Sequence, residues 1–70
     1  MIFSVQVTGV LNSNKAFDSR FFVPADTDED AVKMLETEFD WSDAKSLTMA
    51  ARVADEQDIP LAAHHSIVRT

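Results

Sequence analysis

Asp and Glu are the residues of this chain whose number and spacing could support a chemical or binding function. Eight of its twelve Asp and Glu residues lie between Asp26 and Asp43, where Lys33 is the one basic residue. This acidic segment, residues 26–43, carries −8 + 1 = −7, whereas the other four acids and five bases sum to +1. The net charge of −6 at pH 7 therefore belongs to the acidic segment.

Negative charge of this density favours some classes of binding partner and disfavours others. It repels the phosphates of nucleic acids and anionic lipids, and it attracts a basic groove on a protein and speeds association with it. We therefore expect a protein or ribonucleoprotein complex with a basic surface as the partner, without direct contact to nucleic acid or membrane. The alternative is a solvated helix face that keeps a small protein in solution.

Two aromatic residues complete the predicted partner-binding site. Trp41 falls in a loop predicted after the helix, and Phe22 falls with Ile2 on the side of the hairpin away from that helix. Exposed aromatic residues beside charge are frequent interface anchors. Alternatively, the C-terminal segment covers Phe22 through Ile67 or Val68, and Trp41 covers the end of the core. The complete predicted site is Asp26, Asp28, Glu29, Asp30, Glu36, Asp40, Asp43, Trp41 and Phe22.

Catalytic and metal chemistry find little support in the sequence. The serines lie in no G-x-S-x-G motif, the single glycine excludes a Gly-rich phosphate loop, and the absence of cysteine excludes a thiolate nucleophile or zinc ligand. His64 and His65 are adjacent, so on a strand they would point to opposite faces and could not readily share a metal. We expect no enzyme activity, no cofactor and no metal site. A catalytic or metal role for either histidine is a further interpretation.

The elements that must position the acids begin with a hairpin. Residues 2–10 and 17–23 alternate apolar and polar side chains, which predicts two half-buried antiparallel strands joined by the Asn-rich turn 11–15. Thr27 is a predicted helix N-cap, and acids at 28–30 suit the positive end of the helix dipole. Apolar residues at helical spacing form one stripe, Ala31, Val32, Leu35 and Phe39. At 100° per residue the opposite face carries Glu29, Lys33, Glu36 and Asp40.

Residues 42–57 are ambiguous, because Leu47, Met49, Ala51 and Val53 alternate as in a strand whereas the alanines favour a helix. We predict a strand, since an isolated hairpin is only marginally stable and a third strand would complete a sheet. Residues 66–69 add a short fourth strand. The predicted fold class is α+β, an antiparallel β-β-α-β(-β) sheet with one amphipathic helix packed on one face. The predicted core is Phe3, Val5, Val7, Phe17, Phe21, Val23, Leu35, Phe39, Leu47, Met49 and Val53.

Seventy residues predict a single small domain, residues 1–70, that buries only about 60% of its unfolded surface. Its stability should be marginal, so a homodimer would help it. Residues 1–7 alternate like a strand and lack the basic start of a signal peptide. No run approaches the roughly 18 apolar residues that span a bilayer. Together with the absence of cysteine, this predicts a cytosolic location.

Residues 21–36 resemble the middle of a known family. In these residues a predicted strand ends in Val23-Pro24, and Thr27 is the predicted N-cap of an amphipathic helix whose first turn is acidic. This arrangement is similar to that of the small host RNA polymerase inhibitors of T7-like bacteriophages, and several compact anti-CRISPR proteins are built in a similar way. The resemblance covers the central third of the chain. The chain departs from it in its longer tail after Val53 and in a third strand where Arg52 is nearly the only base.

The resemblance implies a phage-encoded inhibitor that binds a host machine in the bacterial cytoplasm and blocks it sterically or electrostatically. RNA polymerase, a CRISPR surveillance complex and a restriction enzyme are the implied targets. The alternative function is a self-associating structural or assembly protein of a phage or prophage, which would pair through a sheet edge or through Phe22. The positions that match the family's negative surface are Asp26, Asp28, Glu29, Asp30 and Glu36.

Overall fold

A computed structural model describes residues 1–70 and has an α+β fold. The strands are β1 (Ile2–Leu11), β2 (Ala16–Pro24), β3 (Ala44–Val53) and β4 (Val68–Arg69), and helix α1 spans Asp28–Glu38. Two short 3-10 helices, Glu56–Asp58 and Leu61–His64, lie between β3 and β4. All strand pairs are antiparallel and the sheet order is β3-β1-β2-β4. The predicted element order, including the fourth strand, is confirmed.

The β1–β2 hairpin turns at residues 12–15. Asn14 has a φ of 68°, in the left-handed region that Asn tolerates better than most residues. The Leu11 N–H donates to the Lys15 carbonyl at 2.8 Å, and the Asn14 N–H donates to the Leu11 carbonyl at 2.8 Å. The Lys45 ammonium also donates to the Asn14 side-chain oxygen at 2.6 Å, which ties the turn to β3.

Residues 44–53 form a strand, as the alternation predicted, and not the alternative helix. They pair with β1 from Phe3 opposite Val53 to Leu11 opposite Ala44, with one irregularity between Val10 and Leu11. Strand β1 thereby becomes the second strand of the sheet and is bonded on both sides. A helix in this position would have left one edge of β1 unpaired.

The core between the sheet and α1 contains most of the residues that the alternation predicted. Its buried members are Phe3, Val5, Val7, Phe21, Val23, Ala31 and Leu35, and Phe17 and Met49 pack against them partly buried. The prediction was wrong for Phe39, Leu47 and Val53, which are 41%, 37% and 59% exposed. Leu47 and Val53 lie on the outer strand, towards the ends of β3, where the short α1 does not cover them.

A second core lies on the sheet face away from α1, which we call the far face. Phe22 is 4% exposed there and packs with Ile2, Ala54 and Ala63, flanked by Ile59 and Val68. The prediction that Phe22 and Ile2 are exposed on the far face is therefore wrong. The alternative, cover by the C-terminal segment, is right for Val68. Ile67 instead packs against the core on the α1 side.

Helix α1 begins as predicted and ends earlier than predicted. The Thr27 hydroxyl accepts the Asp30 N–H at 3.1 Å, which makes Thr27 the N-cap. The helix ends at Glu38, because Phe39 is extended, with φ −121° and ψ 150°. Asp40 therefore does not continue the outer helical face with Glu29 and Glu36, as the sequence predicted.

Candidate partner-binding surface

All eight acids of the acidic segment are exposed, and five of them lie on α1 itself. Three of these, Asp28, Glu29 and Asp30, occupy its first turn, where carboxylates offset the positive end of the helix dipole. The Asp28 carboxylate also accepts the Glu29 N–H at 2.8 Å. These first-turn acids therefore stabilise the helix locally, and this role does not require a partner protein.

The carboxylates of α1 lie on two sides of the exposed half of the helix. Glu29 and Glu36 are seven residues apart, so at 3.6 residues per turn they lie within about 20° of each other. With Asp28, Val32 and Lys33, Glu29 borders a groove between α1 and β3, the α1–β3 groove. Asp30 and Glu36 border a second depression, next to Asp26, Met1 and Pro24. Lys33 lines both depressions, so it is the one positive charge on the ridge between them.

Asp40, Trp41 and Asp43 are brought together at the other end of α1. They line a cleft of about 360 Å³ whose apolar wall includes Phe17 and Phe39. Phe21, Phe39 and Trp41 form an aromatic cluster with ring centroids 5.2 to 6.3 Å apart. The role of Phe39 here was missed, because its helical spacing after Leu35 assigned it to the buried stripe.

Trp41 has a structural role in this cluster. Its indole N–H donates to the Leu35 carbonyl at 2.9 Å, and its ring packs against the core on the α1 side. The Thr37 hydroxyl lies 3.0 Å and 3.1 Å from the carbonyls of Lys33 and Met34 and can donate to either. The Trp41 bond satisfies the Leu35 carbonyl, which is among the last four of α1 and has no partner within the helix, whereas the Lys33 and Met34 carbonyls precede these four. The alternative interpretation of Trp41, cover over the end of the core, describes its packing.

Asp40 is held by the turn that follows the helix. Its carboxylate accepts the Ser42 backbone N–H at 2.9 Å. This bond, with a further one from the Ser42 hydroxyl, lowers the pKa of Asp40 below its ordinary value, against a small opposing effect of desolvation. Asp40 is therefore a fixed negative charge in the lining of the aromatic cleft, to which Arg69 contributes the one positive charge.

The two histidines are not on a strand, so the argument that a strand would point them to opposite faces does not apply. His64 ends the 3-10 helix Leu61–His64, His65 follows it, and both are exposed. No three His, Asp or Glu side chains are placed to hold a metal ion together. No helix of the structure has the length and apolar character needed to cross a membrane.

The site that remains consists of the α1 acids, the preceding Asp26 and the aromatic cleft with Asp40 and Asp43. Phe22 does not belong to it, because the C-terminal segment covers its ring. The chain matches no protein-family model, no curated protein and no solved structure. The geometry and charge of the site are therefore the basis for a functional proposal.

Proposed function

We propose that this protein is a small acidic inhibitor of the phage type, which binds a basic surface on a host nucleic-acid-handling machine through the exposed side of α1. The observation that supports this is the concentration of charge: eight exposed carboxylates against Lys33 in eighteen consecutive residues. The resemblance of residues 21–36 to phage inhibitors supports the choice of target, RNA polymerase or a CRISPR surveillance complex in the bacterial cytoplasm. No catalytic step is part of this function.

Inhibition would follow from occupation of a surface that the machine uses for nucleic acid. A basic channel attracts the α1 acids at long range, and exposed charges interact over about 10 Å at 0.1 M salt. The bound protein then excludes the phosphate backbone sterically and by like charge. Asp40 and Asp43 extend the negative surface to the aromatic cleft, where they outnumber Arg69 and where Phe39 offers apolar contact area.

The test is affinity capture from a bacterial lysate with a charge-reversal pair and a matched control. Glu29→Lys with Glu36→Lys changes the net charge from −6 to −2, since each substitution adds two charges. Glu56→Lys with Asp58→Lys makes the same change at the 3-10 helix Glu56–Asp58, far along the chain from α1. We expect the α1 pair to abolish capture of the host complex, and the control pair to retain it.

Salt and stability measurements complete this test. Capture by the unmodified protein should weaken steeply as salt rises, because the attraction is between exposed charges. Both charge-reversal pairs should remain folded, since all four positions are exposed. The α1 pair should be less stable than the unmodified protein by about 1 kcal/mol, because Glu29→Lys places a positive charge at the positive end of the helix dipole. Normal capture by the α1 pair would show that its acids are only a solvated helix face.

The second candidate function is a self-associating structural subunit of a phage or prophage. One of its two proposed contacts is lost, because Phe22 is buried in the second core. The other, a sheet edge, is present as β3, which is an outer strand of ten residues. Light scattering at increasing protein concentration tests this candidate, and a monomer at high concentration contradicts it.

A further inference from the structure

Strand β3 is a long sheet edge with no cover. The sheet order places β3 and β4 at the outside, and β4 has only two residues. In β3, seven of ten residues are exposed, and the edge-protecting charges Lys45 and Arg52 lie near its two ends. Long edges of this kind are templates for another strand, and proteins usually protect them with charge, proline or a bulge. The stretch between Lys45 and Arg52 has neither charge nor proline.

The register fixes which backbone groups of β3 face outwards. The Ala54 N–H donates to the Ile2 carbonyl at 2.9 Å, and the ladder continues with Arg52 opposite Ser4 and Ala50 opposite Gln6. In an antiparallel pair, hydrogen-bonded and non-hydrogen-bonded positions alternate. The even-numbered residues of β3 therefore direct their N–H and C=O towards β1. The odd-numbered ones, Leu47, Met49, Ala51 and Val53, direct theirs to the open edge.

The same four residues have side chains on the sheet face that carries α1. They pair with Gly9, Val7, Val5 and Phe3 of β1, of which the last three form the core beneath the helix. The α1–β3 groove, about 440 Å³, runs between Met49 and Ala51 below and Asp28, Glu29, Val32 and Lys33 above. On the far face the neighbouring surface is polar and basic, with Arg20 and Arg52 near Ser4 and Gln6.

We propose that the β3 edge accepts an extended basic segment of the partner protein as an additional antiparallel strand. This inference rests on the proposed function and specifies how the basic partner docks. The N–H and C=O groups of Leu47, Met49, Ala51 and Val53 pair with the segment's backbone. Alternate side chains of the segment, Lys or Arg, enter the α1–β3 groove and approach Glu29. The intervening side chains are neutral, because they lie beside the basic far face.

A second copy of this chain fits the edge less well than a basic segment does. Only odd-numbered residues of β3 have outward N–H and C=O groups, so in a two-fold antiparallel pair odd residues of one copy must bond odd residues of the other. Residues opposite each other on paired strands share a sheet face, so both α1 helices would lie on the same face. Each copy would then bring its acidic segment, with a net charge of −7, towards the other. Charge complementarity favours the basic segment.

The probe is a blocked nine-residue peptide, (Thr-Lys)4-Thr, added to the full-length protein. Amide hydrogen exchange by NMR separates the two sets of β3 residues. We expect saturating peptide to slow exchange at least tenfold at Leu47, Met49, Ala51 and Val53. The inward-facing amides of Thr48 and Ala50 should change much less, because they are already bonded to β1.

Two N-methylated forms of the same peptide distinguish strand pairing from charge attraction. The peptide lysines that enter the α1–β3 groove lie opposite Leu47, Met49, Ala51 and Val53. The backbone amides of these lysines are therefore the ones that form hydrogen bonds with β3. Methylation of the lysine amides should reduce affinity at least tenfold, whereas methylation of the threonine amides should leave it within about twofold. The charge of all three peptides is the same, so attraction to α1 alone predicts equal affinities.

A substitution in the chain gives a second, independent test. Ala51→Pro removes an outward-facing N–H and no bond to β1, a position that edge strands tolerate. Ala51→Pro should lower the affinity for the unmethylated peptide at least tenfold. Glu29→Gln should also lower the affinity for this peptide, and the size of that effect should depend on the salt concentration. If Ala51→Pro does not fold, the methylated peptides still decide the question on the unmodified chain.

The results that would contradict strand addition differ from those that would contradict the proposed function. Binding of the peptide without slower exchange in β3, or equal affinity of both methylated forms, overturns the inference and leaves the proposed function standing. Slower exchange at the four residues that grows with protein concentration and needs no peptide identifies the occupant as a second copy. No binding of the peptide overturns the inference, while the lysate capture with charge-reversed α1 decides the proposed function separately.

Discussion

Asp40 shows how one turn can set the ionisation of an exposed carboxyl group. The Ser42 N–H and hydroxyl both stabilise the carboxylate, so the pKa of Asp40 is lower in the folded protein than in the unfolded chain. A carboxyl group with a lowered folded pKa stabilises the fold at pH values above its unfolded pKa. That contribution disappears as the pH falls through the folded pKa.

Asp40→Asn should therefore destabilise the protein at pH 7, and the difference should shrink as the pH falls through the folded pKa of Asp40. Protonation of Asp40 then removes the charged acceptor from the unmodified protein as well. Urea unfolding at a series of pH values from 7 downwards measures the difference. Asp43→Asn is the control, because it removes a charge from the same loop without the bond to Ser42. A difference between Asp40→Asn and the unmodified protein that does not vary with pH would contradict this account.

Trp41 contributes a hydrogen bond and a ring, and two substitutions separate them. Trp41→Phe keeps most of the packing against Phe21 and Phe39 and leaves the Leu35 carbonyl without its donor. We expect it to cost about 1 kcal/mol of unfolding free energy. Trp41→Ala removes the ring as well and should cost about 3 kcal/mol. Denaturant unfolding followed by far-UV circular dichroism measures both. Unchanged stability of Trp41→Phe would show that the hydrogen bond contributes nothing, and equal costs of the two variants would show that the packing of the ring contributes nothing.

Among the elements, the β1–β3 ladder depends on the one glycine of the chain. A Cβ on Gly9 would clash with the backbone carbonyl oxygen of Ser46, and it would lie 3.0 Å from the Phe17 ring. A backbone atom in a ladder cannot move aside as a flexible side chain can. Gly9 is therefore required for close approach of β1 to β3 and not for a special backbone angle.

Gly9→Ala should destabilise the protein by about 1–3 kcal/mol, the usual cost of overpacking. Thr8→Ala, at the next residue of β1, should change stability by no more than about 0.5 kcal/mol. Thermal and urea unfolding of both variants provide the comparison. If Gly9→Ala is as stable as the unmodified protein, then the strands separate there at no cost.

At the scale of elements, the sequence was sufficient to predict some strands and insufficient to predict the end of the helix. Alternation in residues 2–10 and 17–23 predicts β1 and β2, because one side of each strand is apolar. The third strand was predicted from the alternation of residues 47–53 together with the need of a hairpin for a partner, because the alternation alone left a helix open. Helical spacing continued α1 through Phe39 to Asp40, whereas the chain is extended at Phe39, whose ring packs with Phe21 and Trp41 in contacts that helical spacing cannot reveal.

At the scale of the whole molecule, each face of the sheet carries a core. α1 covers one face, and the 3-10 helix Leu61–His64 covers part of the other, so Ala63 is fully buried beside Phe22. The sequence could not show this, because residues 59–70 have little periodicity. For the same reason Phe22 was assigned to the partner-binding site, whereas the acids of α1 could be placed from spacing alone.

Ala63→Asp tests the second core with a control one residue away. It places a charge without a partner in a fully buried position and should cost at least about 3 kcal/mol. Ala62→Asp adds the same charge at an exposed position of the same 3-10 helix and should cost less than about 1 kcal/mol. Urea unfolding gives both values. Similar stability of the two variants would mean that the C-terminal segment does not pack on the far face.

The inner position of β1 has a consequence for the order of folding. Its pairing with β2 closes a loop of four residues, whereas its pairing with β3 joins residues 33 to 50 positions apart, from Leu11 with Ala44 to Phe3 with Val53. Long-range closure is the slower event, because more chain entropy is lost before any contact is gained. Assembly of the β1–β3 ladder should thus set the refolding rate. In stopped-flow experiments Gly9→Ala should chiefly slow refolding, and Ala63→Asp should chiefly speed unfolding.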